Sequence, residues 1–191
     1  MATLRERQKI ETTNSIRHAA VDLVFENGLD NVTAEMISEK VGISPRTFFN
    51  YFSYKEAALM PPKLEFSEED IQAFTSGSGR LLDDLADMIV PMMGFHAENR
   101  QMLKKLFEIS HSNPKLSMIK VNVFHDFEQM LAGLIERRLT LKAHSGNACL
   151  MAALITTTLR VSMESWVKNN SGVPDEYIRE ALKEMQTAFQ S

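Results

Sequence analysis

The stretch that decides the fold runs from Thr33 to Lys55, TAEMISEKVGISPRTFFNYFSYK. Its punctuation marks two short helices joined by a tight turn. Thr33 is a good N-cap, because its hydroxyl can accept an orphan N–H of a first helical turn. Ile37 and Val41 recur at i, i+4 on one face. Gly42 then ends the helix, since glycine takes the left-handed conformation after a helix without a Cβ penalty. Ile43 plugs the turn, Ser44 caps the next helix, and Pro45 fits its first position, where no N–H is needed. Phe48 and Phe52 face inward at i, i+4, which leaves Arg46, Thr47, Phe49 and Asn50 to project outward.

A second helix presenting Arg, Thr and Asn from its N-terminal half suits the major groove of DNA. Arginine can donate a bidentate pair to guanine, and asparagine can pair with adenine. Ser53-Tyr54-Lys55-Glu56 has the spacing of a capping box, with Ser53 as N-cap and Glu56 three residues on. Lys55 then sits in a first turn, where the helix dipole disfavours a cation, a local cost that makes sense if it meets a phosphate. A plain helical hairpin with a solvated face has the same spacing, and there Lys55 is an ordinary surface lysine.

Residues 10–59 carry a fuller pattern: Ile16, Ala19-Ala20, Phe25-Glu26-x-Gly28, Thr33, Ile37, Val41-Gly42-Ile43-Ser44, Thr47-Phe48-Phe49, Tyr51-Phe52 and Lys55-Glu56. In order and spacing this resembles the DNA-binding domain of the TetR family of bacterial transcriptional regulators. The resemblance covers about the first third of the chain. It implies that Thr33 would hold a phosphate, that Pro45, Arg46, Thr47 and Phe49 would face bases, and that Tyr51 and Lys55 would grip the backbone. Ser44 and Asn50 complete the candidate DNA-binding set. Phe49 stands where the family usually has tyrosine; the ring keeps contact with a thymine methyl but loses a hydrogen bond. The resemblance further implies a palindromic double-stranded operator, a small-molecule effector, repression as the usual direction, and dimerisation through the last two helices.

Around this centre the chain is helical almost throughout. Thr3-Leu4-Arg5-Glu6 is a capping box opening a first helix, Ile16, Ala20, Leu23 and Val24 form its apolar stripe, and Gly28 ends it. The net charge of -4 and pI near 5.8 give no global basic field, so a DNA site must be a local patch. Arg5, Arg7, Lys9, Arg17, Arg46 and Lys55 are its candidates. Pro61-Pro62 stops the short helix that follows Ser53, and PPKLEFSEEDIQAFTSGSG is expected to be a loop with one brief helical turn. Apolar spacing resumes from Arg80 and predicts a kink or end at Pro91. Further helices are expected up to Ser112-Asn113-Pro114, then from Leu116 to Leu139, with a turn at His144-Ser145-Gly146-Asn147. The helix over 148–168 is apolar almost all round and needs neighbours on every side, one of them a second subunit. Pro174 opens the last helix, whose stripe is Ile178, Ala181, Leu182, Met185 and Phe189.

The single cysteine, Cys149, rules out an internal disulfide and is expected to be a small buried hydrophobe. The start MATLRERQK lacks the apolar core of a signal peptide, and no apolar run is long enough to span a bilayer, so a cytoplasmic protein without membrane association is expected. His96, His111, His125 and His144 are scattered without ligand spacing, and no nucleophile elbow or phosphate loop is present. No metal, cofactor or catalytic residue is expected. The rivals to a regulator, a helical-bundle enzyme and a protein-binding adaptor, do not account for the whole run from Gly28 to Glu56. The later helices are rich in Met and Phe, which suit an adaptable apolar site. The candidate ligand-binding residues are Met88, Met92, Phe107, Phe124, Phe127, Met130 and Trp166, with His111, Thr158 and Ser162 as polar members. The expected architecture is all-α: a three-helix helix-turn-helix DNA-binding domain over residues 1–55, then a larger ligand-binding and dimerisation domain over 56–191, pairing through helices 148–168 and 174–190.

Overall fold

The first helix, α1 (Leu4–Asn27), buries Ile16, Ala20, Val21 and Val24, and stops where Gly28 takes a φ of 81°. Only glycine adopts that conformation cheaply, and its N–H still closes on the Val24 carbonyl at 2.9 Å. A 3-10 turn over Leu29–Asn31 leads to α2 (Ala34–Val41) and α3 (Pro45–Tyr51). The computed structural model describes residues 4–60, 66–142 and 146–188. The expectations placed on Thr3, Pro61-Pro62, His144-Ser145 and Phe189 lie outside the described residues.

The chain divides into two compact units. The first comprises 1–62 and 101–120. In it α1 packs on α2 and on a second 3-10 turn, Lys55–Leu59, while α2 packs on α3. Ile16, Ile37 and Phe48 are fully buried here, with Phe52, Ala58 and Leu59 nearly so. Each such aliphatic or aromatic side chain contributes about 1.5–3 kcal/mol by leaving water, an upper figure before chain entropy is counted. Ser53 does not cap a helix. The residue before the Lys55–Leu59 turn is Tyr54, which makes no side-chain cap bond, and Glu56 is buried against Lys115 rather than capping Ser53. A tertiary ion pair has displaced the local cap.

The second unit comprises 63–100 and 121–191. The acidic stretch, expected to be a loop with one brief helical turn, contains a longer, nine-residue helix, α4 (Glu68–Ser76). Ser67 and Asp70 form a reciprocal capping box, and Glu68, Glu69 and Asp70 all sit at the positive end of the helix dipole. Asp70 takes the place that Glu or Gln usually holds in the motif. Then follow α5 (Leu81–Ile89), a 3-10 turn over Val90–Met93 at Pro91, and α6 (Gly94–Glu98). Next come α7 (Arg100–Ser112), α8 (Pro114–Leu141), α9 (Ala148–Asn169) and α10 (Pro174–Ala188). Of α7 and α8, residues 101–120 belong to the first unit. The core of the second unit joins Phe74, Leu85, Ile89, Leu131, Ile135, Ile155, Leu159, Ile178 and Leu182. Arg138, itself buried, clamps this core: it donates to the Phe74 carbonyl at 2.7 Å and the Gly79 carbonyl at 2.8 Å, and pairs with Asp84 at 2.7 Å. Cys149 is exposed on the single chain, contrary to the buried position expected, because it lies on the outer face near the start of α9. No strand occurs among the described residues.

Candidate nucleic-acid interface

Helices α2 and α3 are fixed by their ends. Thr33 stands in extended conformation before α2, and its hydroxyl accepts the Met36 N–H at 3.3 Å. At the other end Gly42, φ 79°, donates to the Glu39 carbonyl at 3.1 Å, and Ile43 donates to the Ser38 carbonyl at 3.0 Å. These two bonds make a Schellman close, which satisfies the last carbonyls of α2 and turns the chain sharply into α3. The Ser44 hydroxyl accepts the Thr47 N–H at 3.0 Å, and Pro45 takes the first helical position. Helix α3 has only seven residues, too short to persist on propensity alone. It is held by the fully buried Phe48, whose ring meets Phe49 edge-on at 5.3 Å and Phe52 at 5.8 Å.

What α3 leaves outside is Ser44, Pro45, Arg46, Phe49 and Asn50, with Thr47 and Tyr51 half-buried along its flanks. Phe49 is 52% exposed, a large exposure for a phenylalanine, although one edge of its ring meets Phe48. Thr33 is exposed at the start of α2. The structure therefore turns most of the predicted base- and phosphate-facing residues to solvent. Arg5, Arg7 and Lys9 are exposed on the first turns of α1. Beside Thr33, the Glu35 carboxyl is held below its ordinary value by hydrogen bonds to its own backbone N–H and to the Thr33 hydroxyl. An acidic group thus already rests at the N-terminus of α2, where an incoming phosphate would meet it.

Two of the cations in the sequence patch turn inward. The Arg17 guanidinium donates to the Met60 carbonyl at 3.0 Å and lies over the Phe52 ring at 5.3 Å; its burial pushes its pKa down to about 10. Lys55 donates from Nζ to the carbonyls of Leu29 at 2.7 Å and Val32 at 2.6 Å. Sequence reading missed both because the partner carbonyls lie 23 to 43 residues away. It also missed the Lys105–Asp22 pair at 2.6 Å and the Lys115–Glu56 pair, which tie residues 101–120 to the rest of the first unit. Glu56 did carry a signal: with Lys55 it is the last charge before the apolar run Ala57-Ala58-Leu59-Met60.

The candidate ligand residues fall in both units. Phe107 and His111 lie in the first, where the exposed His111 shares a 2.7 Å hydrogen bond between Nδ1 and the Phe107 carbonyl. The others lie in the second. Met88 is in its buried core, with Met92 and Phe127 packed against that core. Trp166 is buried, donates its indole N–H to the Gly172 carbonyl at 3.1 Å and carries Arg100 over its face at 4.1 Å. Thr158 and Ser162 donate to the Leu154 and Leu159 carbonyls of their own helix, both at 2.8 Å. Phe124 is half-buried, and Met130 is 36% exposed. No group of three or more metal-ligating side chains occurs, and no helix is long and apolar enough to cross a membrane, among the described residues.

Residues 16–59 match the family model of bacterial regulatory proteins of the tetR family, and residues 80–190 match that of the MftR C-terminal domain. The chain is 36% identical over 59 residues to the HTH-type transcriptional regulator TcmR of Streptomyces glaucescens, a match covering 31% of this chain and 26% of that protein. It is 33% identical over 79 residues to the HTH-type transcriptional regulator YdeS of Bacillus subtilis, covering 41% and 40%. The chain thus spans between about a quarter and two fifths of the curated relatives it matches. In fold it is similar to SmeT, the repressor of the Stenotrophomonas maltophilia multidrug efflux pump SmeDEF. Against SmeT in complex with triclosan the TM-score is 0.59, at 18% identity over 93% of this chain and 91% of that one.

Proposed function

The chain belongs to the TetR family of bacterial regulatory proteins, and on that premise we propose that it is a sequence-specific DNA-binding transcriptional regulator, a cytoplasmic, non-enzymatic repressor that leaves its operator when a small, mainly apolar ligand binds. Residues 1–55 form the DNA-binding domain, and residues 56–191 bind the effector and dimerise through α9 and α10. Two copies of α3 read the half-sites of a palindromic operator in successive major grooves.

The observation that carries this reading is α3 itself. It is a short helix, capped at its start by Ser44, buried through Phe48, and turning Arg46, Phe49 and Asn50 to solvent. A solvated hairpin has no need of a half-exposed phenylalanine beside an arginine; a groove has a use for both, the ring against a thymine methyl and the guanidinium on guanine. Thr33, exposed at the start of α2, and Tyr51, half-buried at the end of α3, suit the phosphate backbone. For the effector, the adaptable side chains in and against the core of the second unit, Met88, Met92 and Phe127, support a site there, with Phe124, Met130, Thr158, Ser162 and Trp166 as further members. The similarity in fold to a repressor solved with triclosan supports the same reading.

Selection of genomic fragments by the protein at low salt tests the first claim. Enrichment of a palindrome is expected, and Arg46→Ala should cost about 1–3 kcal/mol on that site and relax the preference at one base pair. Enrichment of nothing overturns it. The effector claim has a reciprocal test. Operator must weaken ligand binding by the factor by which ligand weakens operator binding.

A further inference from the structure

Lys55 stands three residues beyond Phe52, the residue that closes α3, yet its ammonium reaches back to the entrance of α2. Its two acceptors are not arbitrary carbonyls. Leu29 opens the 3-10 turn between α1 and α2, and Val32 is the residue just before Thr33. The turn is short and enters from Gly28 at φ 81°, so it has little hydrogen bonding of its own; the Val32 N–H reaches the Leu29 carbonyl at 3.4 Å. The 2.7 and 2.6 Å bonds from Nζ are charge-assisted and much shorter. The Val32 carbonyl belongs to the peptide plane that leads into Thr33. Fixing that oxygen fixes the plane, and with it the direction of the Thr33 N–H and the position of the Thr33 Cα from which the hydroxyl projects.

We propose that Lys55 is a positioning residue for DNA binding. It locks the Leu29–Val32 turn to the end of α3, so that Thr33 and α3 are presented in one fixed register, and it does not act by neutralising a phosphate. This rests on the DNA-binding reading above. The physical distinction is sharp. A lysine that neutralises a phosphate releases a condensed counterion, and its loss lowers the slope of log K against log salt by about 0.9. A lysine that spends two of its three N–H donors on backbone carbonyls and turns the third to no phosphate releases none. Its loss lowers affinity equally at every salt concentration, because the free protein no longer holds the bound geometry in advance.

The experiment compares wild type with Lys55→Met on the operator fragment recovered by selection, across a salt series, with Thr33→Val in both backgrounds. Parallel salt lines are expected, offset by tenfold or more, with Thr33→Val costing much less once Lys55 is gone. Arg46→Ala should cost the same in either background. A slope reduced by about 0.9, with an offset that vanishes at high salt, overturns the proposal. Two measurements on DNA-free protein separate this from failure of the DNA reading. In wild type, the Lys55 ammonium protons should exchange slowly with solvent by 15N-edited NMR. In Lys55→Met, exchange of the Met36 amide, the one Thr33 accepts, should accelerate at least tenfold. If Lys55→Met does not fold, the wild-type ammonium signal decides alone: fast exchange, or a large shift when operator is added, overturns the lock. A wild type that binds no DNA but shows a protected ammonium sinks the function and leaves the lock standing.

Discussion

Helices α3 and α9 both carry apolar side chains on the surface of the single chain, and they reach that state by opposite routes. In α3 the exposed ring is Phe49, between Phe48, which is fully buried, and Asn50, which is polar. In α9 the exposed residues are Leu150 at 56% and Val161 at 47%, set in a run that is apolar on nearly every side. Leu150 and Val161 lie about three turns apart and so on one face. The opposite face carries Ile155, Leu159 and Trp166 into the interior. An isolated ring among polar groups is a contact point for a small feature such as a methyl group. A row of aliphatics on a long helix is a surface that wants another surface. Exposure alone does not tell these apart; the neighbours along the helix do.

The largest effect is expected where the two faces of the last helix pair are confused. Leu182 lies on the apolar stripe of α10 and reads as an interface residue in the sequence. In the structure it is 3% exposed within one chain and sits in the core of the second unit. Leu182→Glu should therefore destabilise the chain itself by about 4 kcal/mol or more, since it removes a buried aliphatic and buries a carboxylate. Urea unfolding of the isolated protein measures this. A stable, folded monomer from Leu182→Glu would return the residue to the interface and dissolve the distinction drawn above.

The next effect isolates the outer face. Val161→Glu changes a half-exposed residue and should alter the unfolding of a single chain by less than about 0.5 kcal/mol. If α9 pairs with its copy, the same change places two carboxylates in an apolar contact. Light scattering should then show a monomer, and operator affinity should fall because the two α3 helices are no longer held at one spacing. A dimer that survives Val161→Glu and Leu150→Glu together would show that this face is not where the copies meet.

What was legible in the sequence was whatever is decided within four residues. Thr33, Gly42, Ser44 and Pro45 act on neighbours in sequence, and the structure uses all of them as ends of α2 and α3. The kink at Pro91 and the stop at Gly28 are of the same kind. Helix α4 is longer than the brief turn expected although its cap is local, because Asp70 takes the place of the usual Glu or Gln and the acidic, glycine-flanked text resembles a loop. The misplaced cations had a different cause. Arg17 and Lys55 are both held by backbone carbonyls 23 to 43 residues distant, and nothing in the local text distinguishes a cation that reaches inward from one that faces a phosphate. The ligand residues were read from composition, which says that adaptable apolar side chains are present and not where they meet.

The smallest effect tests whether the buried charge in the first unit belongs to this class of long-range ties. Glu56 has 7% of its side chain exposed, while its partner Lys115 has 65% exposed. Burial pushes the Glu56 carboxyl up; the hydrogen bond from Lys115, a backbone hydrogen bond and the charges of Lys115 and Lys55 outweigh it, so the pKa ends below the ordinary 4.5. A folded-state pKa below the unfolded one means that the unfolded chain binds the proton more readily. The carboxylate therefore contributes stability that is fully present above about pH 4.5, and that contribution disappears as the pH falls through the folded-state value. Glu56→Gln cannot titrate, and its amide oxygen still accepts from Lys115, so only the charge-dependent part is removed. The melting temperature of wild type should exceed that of Glu56→Gln by a constant margin from pH 8 to 5, and the margin should shrink below that. The exposed partner makes the margin modest and sensitive to salt, so about 0.5 M sodium chloride should reduce it at neutral pH. A margin that widens on acidification would mean that burial wins over the lysines. Glu56 would then be a carboxyl kept neutral in the core, and the tie between the Lys55–Leu59 turn and residue 115 would have to be made by packing alone.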